Sequence, residues 1–287
     1  MQLGAVYPQI ELRGDPEAVR RIGLAVESLG YDYLLTYDHV VGATHDREPK
    51  LTGPYTDKDP FHDPLMMFAH LAAITHRIGL VTGVLILPQR QTVLVARQSA
   101  DLALLSDGRL RLGIGLGWNY VEYQALGQSF STRGRRVEEQ VALLRKLWSE
   151  PLVSFEGEFD HAERISLNPR PGHPIPIWFG GFSEPAYRRA ARIGDGFILI
   201  GDEQRATQGW ARIEHYLAQA GRPAAQFGKE MVIGRQDRSA QEVAARIRWC
   251  REFGCTHVAV DTMNKGFATA QAHIDFLGEV RQRLGSA

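Results

Sequence analysis

A glycine-rich stretch, Arg109-Leu-Arg-Leu-Gly-Ile-Gly-Leu-Gly-Trp-Asn119, lies near the middle of the 287-residue chain. Read as a β-strand, its side chains alternate between two faces. One face carries Leu110, Leu112, Ile114 and Leu116, and the other carries Arg111, Gly113, Gly115 and Gly117. Glycine packs nothing and weakens a strand, so three glycines on one face predict that something lies close against it. That neighbour is either a large flat ligand or the backbone of an adjacent strand.

Apolar runs and helical patterns alternate on both sides of this stretch. The predicted strands lie at 3–7, 33–37, 78–87, 109–119, 175–179, 196–200, 231–233 and 257–260. The predicted helices lie at 16–29, 64–75, 92–105, 134–148, 184–193, 206–220, 240–253 and 268–284. Nearly continuous apolar strands are typical of parallel sheets buried on both faces. The pattern therefore predicts an α/β fold, a (β/α)8 TIM barrel in one domain over 1–287, with an open doubly wound sheet as the alternative.

Two segments break the alternation. Proline and glycine recur through residues 42–63 without periodicity, which predicts a long active-site loop. Residues 150–175 form an irregular insertion, with a small hairpin predicted at 155–159. In a barrel of this kind, chemistry takes place where strands end and the following loops begin. We therefore look for the site at the strand ends.

Composition argues against several functional classes. Lys plus Arg equals Asp plus Glu at 33 each, so no basic excess points to nucleic acid or an anionic membrane. The only cysteines, Cys250 and Cys255, are too few for a disulfide framework or a four-cysteine metal site. No signal peptide is visible, and no apolar run approaches the roughly 20 residues that span a bilayer. We expect a cytoplasmic protein without membrane or nucleic-acid partners.

The pair Asp38-His39 directly follows the second predicted strand. A histidine at that position can act as a base near neutral pH or hydrogen-bond a flat ring, or it can hold the long loop in place. Asp38 could accept a hydrogen bond from the ring or the backbone, or cap the turn. The sequence contains no H-E-x-x-H motif and no His-x-His after the first strand, so we expect no metal.

Three other strand ends carry candidate site residues. Gly83-Val84 interrupts the third strand, which indicates a bulge or a simple bend. Trp118, at the end of the glycine strand, could stack on a ligand or belong to the core. Gly180-Gly181 precede a helix, whose free amides and dipole favour a phosphate, although a tight strand-to-helix turn uses the same residues.

Six segments occur along the chain in a characteristic order and spacing. They are Tyr37-Asp-His39, Thr82-Gly-Val-Leu-Ile-Leu-Pro88, Leu102-Ala-Leu-Leu-Ser-Asp-Gly-Arg109, Leu112-Gly-Ile-Gly-Leu-Gly-Trp-Asn119, Arg133-Gly-Arg-Arg136 and Pro176-Ile-Trp-Phe-Gly-Gly181. With these segments the chain resembles the luciferase-like flavin and deazaflavin oxidoreductases, which adopt an eight-stranded α/β barrel. The resemblance covers nearly the whole length.

The resemblance implies a ring system in the barrel mouth against the glycine strand. It also implies a non-prolyl cis peptide at Gly83-Val84, and a cofactor phosphate on the amides of Gly180 and Gly181. The Asp-His pair is similar to that of deazaflavin-dependent sugar-phosphate dehydrogenases, whose histidine lies by the reactive carbon of the ring. The implied catalytic residues are His39 and Asp38. The implied cofactor-binding residues are Asp38, His39, Thr82, Gly83, Val84, Gly115, Gly117, Trp118, Asn119, Gly180, Gly181 and Phe182.

The resemblance favours coenzyme F420 over FMN, with one departure from the sugar-phosphate enzymes. Those enzymes carry an acidic residue where this chain has Trp118, so we expect a more apolar small-molecule substrate. The hypothesis is an F420-dependent oxidoreductase that moves a hydride between the deazaflavin and an organic substrate. The alternatives are a monooxygenase that uses reduced FMN and oxygen, and a non-catalytic flavin-binding protein. The resemblance also implies a homodimer.

Overall fold

Nine strands in residues 1–234 and 239–285, which the computed structural model describes, form one parallel sheet, and two form a separate antiparallel hairpin. The strands are β1 (Gln2–Val6), β2 (Tyr33–Thr36), β3 (Gly79–Thr82), β4 (Leu85–Ile86), β5 (Leu110–Gly115), β6 (Val153–Glu156), β7 (His161–Ile165), β8 (Ile177–Gly180), β9 (Gly196–Ile200), β10 (Gly228–Ile233) and β11 (His257–Val260). The helices are α1 (Gln9–Leu12), α2 (Pro16–Ser28), α3 (Pro64–Ile74), α4 (Thr92–Leu105), α5 (Tyr120–Ala125), α6 (Arg133–Ser149), α7 (Glu184–Ile193), α8 (Glu203–Gln219), α9 (Ala240–Glu252) and α10 (Ala270–Leu284). Within this part of the chain, no helix combines the length and apolar character needed to cross a membrane.

The large sheet closes on itself. Its strand order is β3-β2-β1-β11-β10-β9-β8-β5-β4, and β3 also pairs with β5. β3 and β4 are the two halves of one barrel strand, separated at Gly83-Val84, where the peptide bond is cis as the resemblance implied. The eight barrel positions confirm the predicted (β/α)8 barrel and exclude the open sheet. The single strand predicted over 78–87 is corrected to two, because the backbone leaves the ladder at this bulge.

Aspartate residues begin two of the predicted helices. The carboxylate of Asp15 accepts the amide of Glu17 at 3.0 Å, and that of Asp63 accepts the amide of Leu65 at 2.9 Å. In both helices proline follows the aspartate, at a position where the missing amide forfeits no helical hydrogen bond. These contacts confirm the predicted helix starts.

Some short elements were missed by the sequence reading. The helices α1 and α5 are each only a few residues long and carry no clear periodicity. The hairpin of β6 and β7 is longer than the one predicted at 155–159 and lies within the predicted insertion. Residues 42–63 contain no helix or strand, as predicted.

The alternation predicted for the glycine strand is present in β5. Leu110, Leu112 and Ile114 lie in the core between the barrel and its helices, whereas Arg111 points inside the barrel. There its guanidinium contacts the carboxylate of Glu230 at 2.6 Å and lies over an aromatic ring at 4.0 Å. That ring belongs to Trp178, and together with Tyr33 these side chains fill the barrel near the starts of its strands. These side chains do not fill the opposite end of the barrel, at the carboxyl ends of the strands, where the site is expected.

A buried histidine predicts how stability depends on pH. His273 is fully buried, its Nδ1 lies 2.8 Å from the hydroxyl of Thr262, and burial lowers its pKa from 6.5 to about 4. Between these values the unfolded chain binds more protons than the folded protein, so stability is lost as pH falls from 6.5 towards 4. The loss reaches up to about 1.4 kcal/mol per pH unit.

We expect the His273→Asn variant to show a shallower fall in unfolding free energy over that range. Denaturant unfolding at several pH values measures the slope. The exposed His76→Asn serves as the matched control and should keep the slope of the parent protein. Equal slopes for parent and His273→Asn would contradict the expectation.

Candidate active site at the carboxyl end of the barrel

The predicted site residues come together at one end of the barrel. All barrel strands run parallel, so the segments that follow β2, β4, β5 and β8 meet at the carboxyl end. The predicted residues at or just after these ends are Asp38, His39, Thr82, Gly83, Val84, Gly115, Gly117, Trp118, Asn119, Gly180, Gly181 and Phe182. The contacts of these residues divide them into two groups: residues that hold the mouth of the barrel together and residues that are open to a ligand.

The glycine face of β5 is filled by the neighbouring strand. A Cβ at Gly113 would lie 2.0 Å from the carbonyl oxygen of Thr82, whose hydroxyl donates to the Gly113 carbonyl at 2.6 Å. A Cβ at Gly115 would lie 2.4 Å from the side chain of Val84, and one at Gly180 would lie 2.8 Å from it. The neighbour of Gly113, Gly115 and Gly180 is therefore the adjacent strand, since these glycines make room for the Gly83-Val84 bulge, and the half-buried Val84 lies at the mouth. Contact of a planar ring with this face stays a prediction.

The carboxylate of Asp38 is fully buried and bound on both oxygens. One oxygen accepts the amide of Ile86 at 2.9 Å, and the other contacts Arg90 at 2.7 Å. Arg90 also contacts Asp63 at 3.0 Å, which ties together the ends of β2 and β4 and the start of α3. Burial raises the pKa of Asp38, and Arg90 opposes that rise. Of the alternatives for Asp38, the structure shows backbone binding.

The acid that pairs with His39 is Glu122, which sequence reasoning missed. The Nδ1 of His39 lies 3.2 Å from Oε2 of Glu122. The other carboxylate oxygen accepts the amides of Val40 and Val41, the latter at 3.2 Å. Only 2% of the Glu122 side chain is exposed, against 11% of that of His39. A buried carboxylate thus holds both the ring and the backbone that follows it.

Asn119 places Glu122. Its side-chain oxygen accepts the amides of Val121 at 3.1 Å and Glu122 at 3.3 Å, which caps α5. The side chain of Asn119 is buried in this capping role, and its predicted contact with a cofactor stays a prediction. The Asn-x-x-Glu spacing is a helix-start pattern, and it is the signal that could have identified Glu122 in the sequence.

The 42–63 loop lies against His39. The rings of Phe61, Tyr55 and Trp118 lie 4.8, 5.3 and 5.6 Å from the imidazole, each close to perpendicular. Gly53 lies directly against the indole, since a Cβ there would be 2.2 Å from the Trp118 ring. Trp118 therefore packs beneath the loop, and together with the loop rings it forms an apolar wall around the histidine.

A second missed residue, Gln9, anchors the end of this loop. Its side-chain amide donates to the hydroxyl of Thr36 at 2.8 Å and to the carbonyl of Tyr37 at 2.6 Å. Its carbonyl accepts the amide of His62 at 2.8 Å. Gln9 thus joins the ends of β1, β2 and the loop. Its position just after the first strand was the only sequence signal.

The ends of β8 and β9 form the second part of the site. Gly181 and Gly201 have φ angles of +148° and +151°, which residues with a side chain rarely adopt. Phe182 is 60% exposed, and the guanidinium of Arg205 lies 5.2 Å from its ring. The side chain of Ser183 makes no capping bond at the start of α7. Pro185 has no amide hydrogen and Ala186 donates its amide to the Ser183 carbonyl at 2.9 Å, so the amides left at this helix start are those before Pro185. Beside an arginine, such amides are able to bind a phosphate.

Within residues 1–234 and 239–285, no group of three or more His, Cys, Asp or Glu side chains is arranged to hold a metal ion. The structure thus defines an eight-stranded α/β barrel with a histidine–carboxylate pair and a glycine-rich helix start at its carboxyl end. A family profile described as luciferase-like monooxygenase matches residues 3–280, so the chain belongs to that family, as its sequence resemblance indicated.

Relatives within the family are named for different activities. An uncharacterised protein of Mycobacterium tuberculosis is 31% identical over 203 residues, covering 69% of this chain and 70% of its own. The pyrimidine monooxygenase RutA of Allorhizobium ampelinum is 31% identical over 224 residues, covering 72% of this chain and 60% of its own. The F420-dependent glucose-6-phosphate dehydrogenase of Intrasporangium calvum is 33% identical over 188 residues, covering 62% of this chain and 52% of its own.

Solved structures share the fold across nearly the whole chain. An F420-dependent secondary alcohol dehydrogenase, solved with an F420-acetone adduct, superimposes with a TM-score of 0.81 at 17% identity, covering 99% of each chain. The monooxygenase RslO1 from Streptomyces bottropensis gives 0.79 at 19% identity, covering 97% of this chain and 98% of its own. At these identities, the structural similarity establishes the barrel fold alone, and the reaction has to be inferred from the residues of the site.

Proposed function

We propose that the protein is an F420-dependent oxidoreductase that transfers a hydride between the deazaflavin and a small organic substrate. The observation that carries the proposal is His39, held on Nδ1 by Glu122 at the mouth of the barrel. A histidine fixed in this way can exchange a proton with a substrate oxygen while the hydride moves between the substrate and the deazaflavin. Relatives named as F420-dependent dehydrogenases support the cofactor assignment.

The residues present fit coenzyme F420. Gly115 and Gly180 make room for the side chain of Val84, which is half-buried at the mouth. Val84 would therefore lie beneath the ring. The amides after Gly180 and Gly181, with Arg205 nearby, would take the phosphate. When bound, the deazaflavin supplies a ring carbon that takes or gives a hydride. The chain itself supplies binding, orientation and the proton carrier His39.

The walls around His39 favour an apolar substrate. Trp118, Tyr55 and Phe61 surround the imidazole, and no carboxylate stands at position 118. Val40 and Val41, each 41% exposed, continue this surface on the chain after His39. Such a wall desolvates a bound apolar molecule more readily than a sugar phosphate. Because the family resemblance implies it, we also propose a homodimer, and a cytoplasmic location stays a prediction from the sequence.

A second candidate function is a monooxygenase that uses reduced FMN and oxygen. Its support is the similarity to a pyrimidine monooxygenase and to an FMNH(2)-dependent dimethylsulfone monooxygenase of Pseudomonas fluorescens. The two chemistries differ because a flavin forms a peroxide with oxygen, which a 5-deazaflavin does not readily do. Cofactor preference therefore separates the two functions.

Fluorescence titration of the purified protein with oxidised F420 and with FMN tests the proposal. We expect F420 to bind at least about tenfold more tightly, a difference of about 1.4 kcal/mol. Arg205→Ala should weaken binding of F420, whereas Arg135→Ala, a matched change in an exposed ion pair with Glu158, should not. Tighter binding of FMN would favour the monooxygenase, and tight F420 binding without turnover of any alcohol or carbonyl compound would favour a binding protein.

A further inference from the structure

We propose that Glu122 is a positioning residue that sets the tautomer of His39. The carboxylate holds the proton of the neutral imidazole on Nδ1 and leaves the lone pair on Nε2, at the mouth of the barrel. Its consequence for turnover rests on the proposed function, whereas the tautomer itself is a property of the protein alone.

The argument begins with the chemistry of a carboxylate. An ionised carboxylate only accepts hydrogen bonds, so the nitrogen that faces it must carry a hydrogen. Glu122 faces Nδ1 of His39 at 3.2 Å. Within the part of the chain that the structure describes, this is the one hydrogen bond of the imidazole, since its other neighbours are the rings of Phe61, Tyr55 and Trp118. Nε2 is therefore the nitrogen left to meet a substrate.

The orientation of the carboxylate is itself fixed. One oxygen of Glu122 is bound by the amides of Val40 and Val41, so the carboxylate cannot rotate without leaving both amides unpaired. Asn119 fixes the backbone of Glu122 by capping α5. The side chain is almost entirely buried, which removes water as a competing partner. The arrangement allows one of the two neutral tautomers.

The Glu122→Gln variant tests the positioning role, because that role predicts a change in the His39 tautomer that a merely structural role does not predict. The amides of Val40 and Val41 need an acceptor, so the oxygen of the new amide group stays with them. Its NH2 group then faces Nδ1 of His39, which must become an acceptor. We therefore expect the tautomer to invert, with the proton moving to Nε2. 15N NMR of the histidine side chains at pH 8.5 shows directly which ring nitrogen carries the proton.

The loss of a free lone pair on Nε2 should also appear in kinetics. We expect kcat for F420-dependent oxidation of an alcohol, in which Nε2 accepts the hydroxyl proton while the hydride goes to F420, to fall by about 10- to 100-fold, with KM changed by less than about threefold. Glu139→Gln is the matched control, because the Glu139 carboxylate likewise accepts backbone amides, those of Glu158, Phe159 and Asp160 in the hairpin. It should leave both the His39 tautomer and kcat unchanged.

The outcomes separate the two proposals. A parent protein whose His39 carries the proton on Nε2 would overturn the inference, and this measurement does not need the variant to fold. An unchanged tautomer in a folded Glu122→Gln would overturn it as well. Inversion without any loss of kcat would support the positioning role of Glu122 and would instead overturn proton exchange by His39.

Discussion

Replacing His39 with asparagine should lower kcat by about 10²- to 10⁴-fold, the range for loss of a general acid–base group. The side-chain amide of asparagine can still donate to Glu122 from near the place of Nδ1, so the local structure is retained. It has no counterpart to Nε2 and cannot carry a proton. Binding of F420 should therefore change far less than turnover. Stopped-flow or steady-state assays that follow F420 absorbance give kcat, and fluorescence titration gives Kd.

The control for this variant is the same substitution at an exposed position. His70 lies on the outer side of α3, and His70→Asn should leave kcat and Kd at parental values. A His39→Asn enzyme that turns over at the parental rate would assign His39 to the loop, the structural role considered for it in the sequence. If the variant lost both F420 binding and turnover, His39 would instead be a residue that contacts the cofactor.

The parts of the fold that depend on local patterns could be predicted. Alternation in β5 follows from the two-residue period of a strand, and Leu112 and Arg111 lie on the predicted faces. The helix starts at Asp15 and Asp63 follow from side-chain capping within a few residues. The series of about eight strand-then-helix units without a break in composition favours barrel closure over the open sheet, and the β3–β5 pairing confirms it.

The parts of the fold and of the site that depend on contacts between distant residues could not be predicted from the sequence. His39 and Glu122 are separated by 83 positions, and only the closed barrel brings them together. Gln9 likewise binds residues from β2 and from the end of the 42–63 loop. A sequence shows that glycine is needed at a position, but it does not show whether a ligand or a strand approaches. For Gly113 both explanations were open, and the structure assigns a strand.

Gly113→Ala should therefore destabilise the barrel strongly. The new methyl group would lie 2.0 Å from the carbonyl oxygen of Thr82 and 2.8 Å from the side chain of Ile198. A side chain can move aside, but the Thr82 carbonyl belongs to β3, and β5 is paired on its other side with β8. We expect the free energy of unfolding to fall by about 3 kcal/mol or more, at or beyond the upper end for overpacking.

Gly172→Ala is the matched control, since a Cβ there meets nothing within 4 Å and the φ of Gly172 is not positive. Urea unfolding followed by circular dichroism compares the two variants with the parent, and Gly172→Ala should be within about 0.5 kcal/mol of it. The experiment also tests why β5 carries glycine at position 113. If the face had been cleared for a ring, the alanine variant would fold with parental stability and lose only cofactor affinity. If the face packs against β3, stability falls even when no cofactor is added.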